Sequence, residues 1–160
     1  MSAATTTIPA RALLAGESGG RLLVLRAPLN LWSGLDPAAG VIVDAGHPQR
    51  GASVTGTILV IPALSGATGG ASLAETLRRG TGPAGVVVTT ADPSLIMAVA
   101  VARELYQVRC PIVQVAAGDL PALAAAVRAT ITSSGDIELA LSGTPSVADT
   151  VPTSRPAVTG

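Results

Sequence analysis

Apolar positions along the chain follow two regimes that meet near Pro62. Before it, short runs of Leu, Val and Ile alternate with glycine- and proline-bearing turns: Arg11 to Gly16, Arg21 to Arg26, Val41 to Asp44, and Val54 to Ile61. Runs this short, bounded by turn residues, predict strands. The first two are expected to be joined by the turn Gly16-Glu17-Ser18-Gly19-Gly20, with Pro28 ending the second. Leu29 to Gly40 reads as a loop with a turn at Asp36-Pro37. Its Trp32, the sole tryptophan, is expected to cap one end of the core.

After Pro62 the spacing becomes that of alternating helices and strands. Ser72 to Gly80 carries apolar residues at helical intervals and a glycine stop. Pro83 to Thr90 reads as a buried strand. Asp92 and Pro93 are an N-cap and first-turn proline for a helix from Leu95 to Tyr106. Cys110 to Val115 returns as a strand, Asp119-Leu120-Pro121 opens a helix reaching about Ala129, and Ile137 to Leu141 is a last strand. The sum is an α/β domain, β-rich in its N-terminal half and βαβ in its C-terminal half. Residues 1–9 show no period and are expected to be a loose leader. Residues 143–160, rich in Thr, Pro, Ser and Gly, are expected to be a flexible tail, which leaves residues 10–142 as one domain.

Between the regimes lies Pro62-Ala63-Leu64-Ser65-Gly66-Ala67-Thr68-Gly69-Gly70-Ala71-Ser72, a glycine-rich passage from a strand into a helix. Gly66, Gly69 and Gly70 let a ligand approach the backbone where N–H groups lack helical partners, a place to hold an anion. A tight strand-to-helix turn is the simpler use of the same glycines. The loop is neither a P-loop, since the chain has no lysine, nor a dinucleotide fingerprint, since the glycine spacing is wrong. A second candidate is the turn Gly46-His47-Pro48-Gln49-Arg50-Gly51, which holds the one histidine. His47 is either a polar loop residue or a catalytic group, and Arg50 offers a guanidinium fork for a substrate carboxylate.

Composition narrows the function classes. The 160 residues allow one domain with a sizeable core, built from small branched side chains because the chain has one Trp, one Tyr and no Phe. Ten basic and ten acidic residues leave no net charge, so neither nucleic acid nor an anionic membrane is an expected partner. Apolar runs fall short of the roughly 20 residues that span a bilayer, and no signal-peptide pattern opens the chain, so a cytoplasmic location is expected. A single cysteine makes neither an internal disulfide nor, alone, a metal site. Arginine without lysine, with abundant Ala and Gly, points to a bacterium with a genome rich in G and C.

Taken in order, these segments resemble the small, swivel-domain subunit of the aconitase X family of dehydratases. The resemblance runs from about Ala15 to Val115. It is carried by Pro28-Leu29-Asn30-Leu31-Trp32-Ser33-Gly34-Leu35-Asp36-Pro37, Gly40 to Asp44, His47-Pro48 with Gly51, and Gly56 to Pro62. The glycine-rich loop, Leu73 and Glu75, Gly80 to Ala84, Val101 to Tyr106 and Cys110-Pro111 continue it.

The resemblance implies a β/β/α aconitase-like swivel domain that docks on a larger catalytic subunit. That partner carries the iron-sulfur centre, so this chain is expected to bind no cofactor itself. Family members dehydrate small hydroxy acids; bacterial ones resemble cis-3-hydroxy-L-proline dehydratases and archaeal ones mevalonate 5-phosphate dehydratases. The composition favours the first. A serine of the swivel loop is the expected base. Here the family's Gly-Ser-Ser or Gly-Ser-Thr is replaced by Gly66-Ala67-Thr68, and a second expected serine falls on Ala71. Ser65 and Thr68 are then the candidate bases. Gly66, Ala67, Gly69, Gly70 and Ser72, with His47 and Arg50, are the candidate substrate contacts. The alternative is a swivel module that has lost catalysis and self-associates or regulates a partner.

Overall fold

The computed structural model describes residues 5–64 and 69–141. Strands β1 (Thr5–Ile8), β2 (Arg11–Leu14) and β3 (Ser18–Val24) come first. A one-turn helix α1 (Leu31–Gly34), the short strands β4 (Leu35–Asp36) and β5 (Val41–Ile42), and β6 (Ile58–Ile61) follow. The chain then alternates through α2 (Gly70–Arg79), β7 (Gly85–Val88), α3 (Pro93–Tyr106) and β8 (Ile112–Gln114). It closes with α4 (Leu120–Ala125), β9 (Arg128–Ile131) and β10 (Ile137–Ala140).

Eight strands hydrogen-bond in the order β1-β10-β9-β3-β6-β7-β8-β2. Strand β3 is the joint: Ser18 to Arg21 pair antiparallel with β9, while Leu22 to Val24 pair parallel with β6. The parallel strands are buried on both faces, which is why Val86-Val87-Val88 and Ile58-Leu59-Val60-Ile61 are unbroken apolar runs. Leu59, Ile61, Val86 and Val88 share one cluster with Leu73, Leu77, Leu95 and Val99 of the helices. Ile58, Val60 and Val87 point the other way, into a cluster with Ile131, Ile137 and Leu139 of the antiparallel strands and Leu123 of α4. Antiparallel strands, parallel strands and helices therefore stack as β/β/α layers, as expected.

Several local expectations are corrected. Thr5–Ile8 is not a loose leader but an edge strand on β10. Its threonines favour extended backbone, and Ile8, 3% exposed, enters the second cluster. The expected helix to Ala129 stops at Ala125, and Arg128–Ile131 is a strand with Ala129 and Ile131 inward. The two strands around Gly16 to Gly20 form, but not as a hairpin: β2 leaves to pair with β8 at the far edge. Of Val54 to Ile61 only the last four residues are strand, because Val54 to Thr57 close a turn through the Thr57 N–H and hydroxyl, both donating to the Val54 carbonyl. Trp32 caps nothing, standing 62% exposed on α1. The expected flexible tail, 143–160, lies outside the described residues, as do residues 1–4 of the leader.

Candidate functional site

Parallel strands β6 and β7 end side by side at Ile61 and Val88. Beyond them Pro62-Ala63-Leu64 and Thr90-Ala91-Asp92 leave the sheet and enclose a cleft of about 310 Å³. A crevice outside the carboxyl ends of parallel strands is where open α/β sheets hold ligands. The Thr89 hydroxyl donates to the Pro62 carbonyl at 3.0 Å, fastening one exit to the other. Gln114 in turn donates to the Thr89 carbonyl at 3.1 Å.

Asp92 forms one wall of the cleft and also caps α3. Its Oδ1 accepts from the Ser94 N–H at 2.8 Å, the Ser94 hydroxyl at 2.8 Å and the Leu95 N–H at 3.1 Å. The Leu95 and Ser94 donors stabilise the ionised form and hold this carboxyl below its usual range. Reading Asp92 as a cap was correct, but its place in the cleft, with Thr90 and Ala91, was missed. The available signal was its position just past a parallel strand.

The glycine-rich loop leaves this cleft at Leu64, which bridges to Leu29, and arrives at Gly69, the N-cap of α2. Among the described residues no side chain caps α2, whose first N–H groups have no acceptor within the helix. Gly69 and Gly70 are demanded by packing. A Cβ on Gly69 would lie 2.7 Å from the Leu31 Cβ, and one on Gly70 would lie 2.7 Å from the Ser94 carbonyl oxygen. Ser72 is mostly buried. With Ala71, Glu75, Trp32 and Pro37 it lines a shallower cleft of about 270 Å³ beside the helix start. Glu75 is held there by Arg78 at 2.8 Å and Arg79 at 2.7 Å, which bring its carboxyl down to about 2. Ser65, Gly66, Ala67 and Thr68, the candidate bases and two of the candidate contacts, lie outside the described residues.

His47 and Arg50 are placed differently from each other and from the cleft. His47 is 5% exposed, with Nε2 3.1 Å from the Ala27 carbonyl oxygen and Nδ1 accepting from the Gln49 N–H at 3.1 Å. Those partners require the proton on Nε2 and leave neither ring nitrogen for a substrate. Gln49 continues the same clamp, donating to the Val24 carbonyl at 2.8 Å and accepting from the Arg26 N–H at 2.9 Å. Arg50 is exposed on the turn and does not line the β6–β7 cleft.

Among the described residues no group of three His, Cys, Asp or Glu side chains is disposed to hold a metal ion. Cys110 is buried, and burial pushes its thiol up to about 12, the opposite of what a thiolate ligand needs. Among these residues, too, no helix is long and apolar enough to cross a membrane. On the outer side of α3, Met97 and Leu105 are each 65% exposed and Val101 45%, an apolar stripe at i, i+4 and i+8.

Comparison with known proteins gives concordant matches. Residues 7–139 match the family model described as the aconitase X swivel domain. A cis-3-hydroxy-L-proline dehydratase from Pseudomonas aeruginosa is 35% identical over 103 residues, 64% of this chain but only 18% of that protein. A phosphomevalonate dehydratase small subunit from Methanopyrus kandleri is 42% identical over 77 residues, 48% of this chain and 57% of that subunit. The chain thus spans under a fifth of the first relative and somewhat over half of the second. Among solved structures, aconitase X from Thermococcus kodakaraensis in its holo-form superposes with a TM-score of 0.67 at 21% identity, covering 84% of this chain and 98% of that one. A UPF0107 protein solved by solution NMR gives 0.71 at 24% identity with the same coverages. At these identities the superpositions speak to the fold alone.

Proposed function

The chain belongs to the aconitase X swivel-domain family, and from that premise we propose that it is the small subunit of a dehydratase that eliminates water from a small hydroxy acid. The reading rests on one conjunction: a family match across nearly all the described chain, with a glycine-rich loop leaving the ligand-binding edge of a parallel sheet. The preferred substrate is cis-3-hydroxy-L-proline, as in the Pseudomonas relative, with Ser65 or Thr68 taking the proton. The substrate carboxylate is held by the first N–H groups of α2, at Gly69 and Gly70, with Gly66 as a further contact in this reading. In this reading the iron-sulfur centre belongs to a large subunit, as the aconitase X resemblance implies. The assembled enzyme works in the cytoplasm, and the α3 stripe of Met97, Val101 and Leu105 is the surface that the large subunit covers.

A second reading is favoured by Ala67 and Ala71, which stand where the family loop has serines: a swivel module that docks without catalysing. One experiment separates the two. The chain is mixed with an aconitase X large subunit, and dehydration of cis-3-hydroxy-L-proline and of phosphomevalonate is measured for wild type, Ser65→Ala and Thr68→Val. Turnover lost in one variant supports the enzyme and names the base. A stable complex without turnover on either substrate selects the silent module, and full activity in both variants removes these two hydroxyls from the mechanism.

A further inference from the structure

At the end of the parallel strands opposite the Pro62–Leu64 exit, the chain enters β8 through Arg109-Cys110-Pro111, and the turn Ala15-Gly16-Glu17 leads from β2 into β3. These two segments and the last turn of α3 enclose a cleft of about 240 Å³ whose charged groups are Arg103, Arg109 and Glu17. The cleft is built by two local features. Helix α3 ends at Gln107, the one non-glycine residue with a positive φ (53°) among the described residues, and its N–H donates to the Arg103 carbonyl at 3.0 Å. Past that left-handed turn the chain reaches Arg109, which lines the same cleft as Arg103. Opposite, Gly16 packs on Pro111, where a Cβ would stand 3.4 Å from the Pro111 Cβ.

Arg78 and Arg79 share Glu75, whereas among the described residues neither Arg103 nor Arg109 has a carboxylate within ion-pair distance. Two guanidiniums on one small cleft repel each other, and Glu17, exposed at its rim, leaves a net single positive charge. A guanidinium is a rigid fork of donors matched to the oxygens of carboxylates and phosphates. We propose that this cleft binds a compact oxyanion, a carboxylate or phosphate group, between Arg103 and Arg109, at a site separate from the one at the ends of β6 and β7. Apolar walls from Ala15 and Pro111 restrict it to a small ligand, and Glu17 disfavours a highly charged one.

The test needs no large subunit, so it stands or falls apart from the dehydratase reading. The full chain, isotopically labelled, is titrated with inorganic phosphate and separately with succinate at constant ionic strength, and amide shifts are followed by NMR. Saturable shifts confined to Ala15–Glu17 and Arg109–Cys110 are expected. Saturation by one ligand alone identifies the anion class, and saturation by both supports the site as stated. Arg103→Gln and Arg109→Gln each weaken binding by about tenfold, and Glu17→Gln tightens it. Unchanged amides in β6 and β7 show that the variants remain folded. Absence of saturation with both anions, or equal affinity in the Arg103→Gln/Arg109→Gln double variant, overturns the proposal.

Discussion

A Cβ on Gly70 would lie 2.8 Å from the Cβ of Ala98. The first turn of α2 is thus pressed against α3 more closely than any side chain allows, with the Ser94 carbonyl oxygen as close on the same side. Alanine gains about 1 kcal/mol over glycine in helix propensity. Forcing an extra methyl into a packed contact costs about 1–3 kcal/mol, and here one obstacle is backbone that cannot rotate away. Gly70→Ala is therefore expected to destabilise the chain by about 1–2 kcal/mol in urea unfolding. A variant as stable as wild type would show that the helices are further apart.

His47 is a strut, and its removal separates stability from function. The ring joins the 46–51 turn to the exit of β3 through Ala27, and both bonds are largely shielded from water. His47→Ala leaves the Ala27 carbonyl and the Gln49 N–H without those partners, a loss of about 1–3 kcal/mol. The expected outcome is a lower urea midpoint with turnover per folded complex unchanged. If turnover falls while the midpoint stays, the imidazole meets substrate after all.

How far the fold could be read from the chain follows from which interactions are local. The βαβ half was legible because each signal lies within its own segment: Val86 to Val88 are apolar on both faces, and Asp92-Pro93 caps and opens α3. Strand partners are not local. Nothing in Arg11 to Leu14 says that it pairs with β8, about a hundred residues on, instead of its neighbour β3. Strand β9 was hidden because Ala124, Ala125 and Ala126 carry the helical pattern past its end, yet the inward alternation of Ala129 and Ile131 was there to be counted. At the candidate site, Gly69 and Gly70 marked the start of α2. That His47 is buried was not, since a histidine between glycine and proline reads as a surface turn.

The stripe on α3 carries the docking reading. Met97, Val101 and Leu105 face outward from a helix whose buried side, Leu95, Val99 and Ala102, already serves the core. Charges introduced there leave the packing intact. A Met97→Glu/Leu105→Glu variant should keep the wild-type urea midpoint within about 0.5 kcal/mol, as surface substitutions do. Its affinity for an aconitase X large subunit, measured by titration calorimetry, should drop by tenfold or more. Undiminished affinity moves the interface to another face.

Cys110 makes the stability of the chain fall at high pH. Its thiol is fully buried under the entry to β8, and burial raises it from 9.0 to about 12, with nearby Arg103 opposing the shift. Below pH 9 the thiol is protonated in both states and contributes no pH dependence. As pH rises, the unfolded chain loses this proton first, so unfolding is favoured progressively until the folded thiol also ionises near 12. One such group steepens the fall by up to about 1.4 kcal/mol per pH unit. Between pH 9 and pH 11 wild type should lose stability faster than Cys110→Ala by up to that slope. In the native state at pH 8 the thiol should react with an aromatic disulfide only as fast as the protein opens. Parallel pH profiles for the two proteins, or rapid native-state modification, would mean that Cys110 is reachable by water.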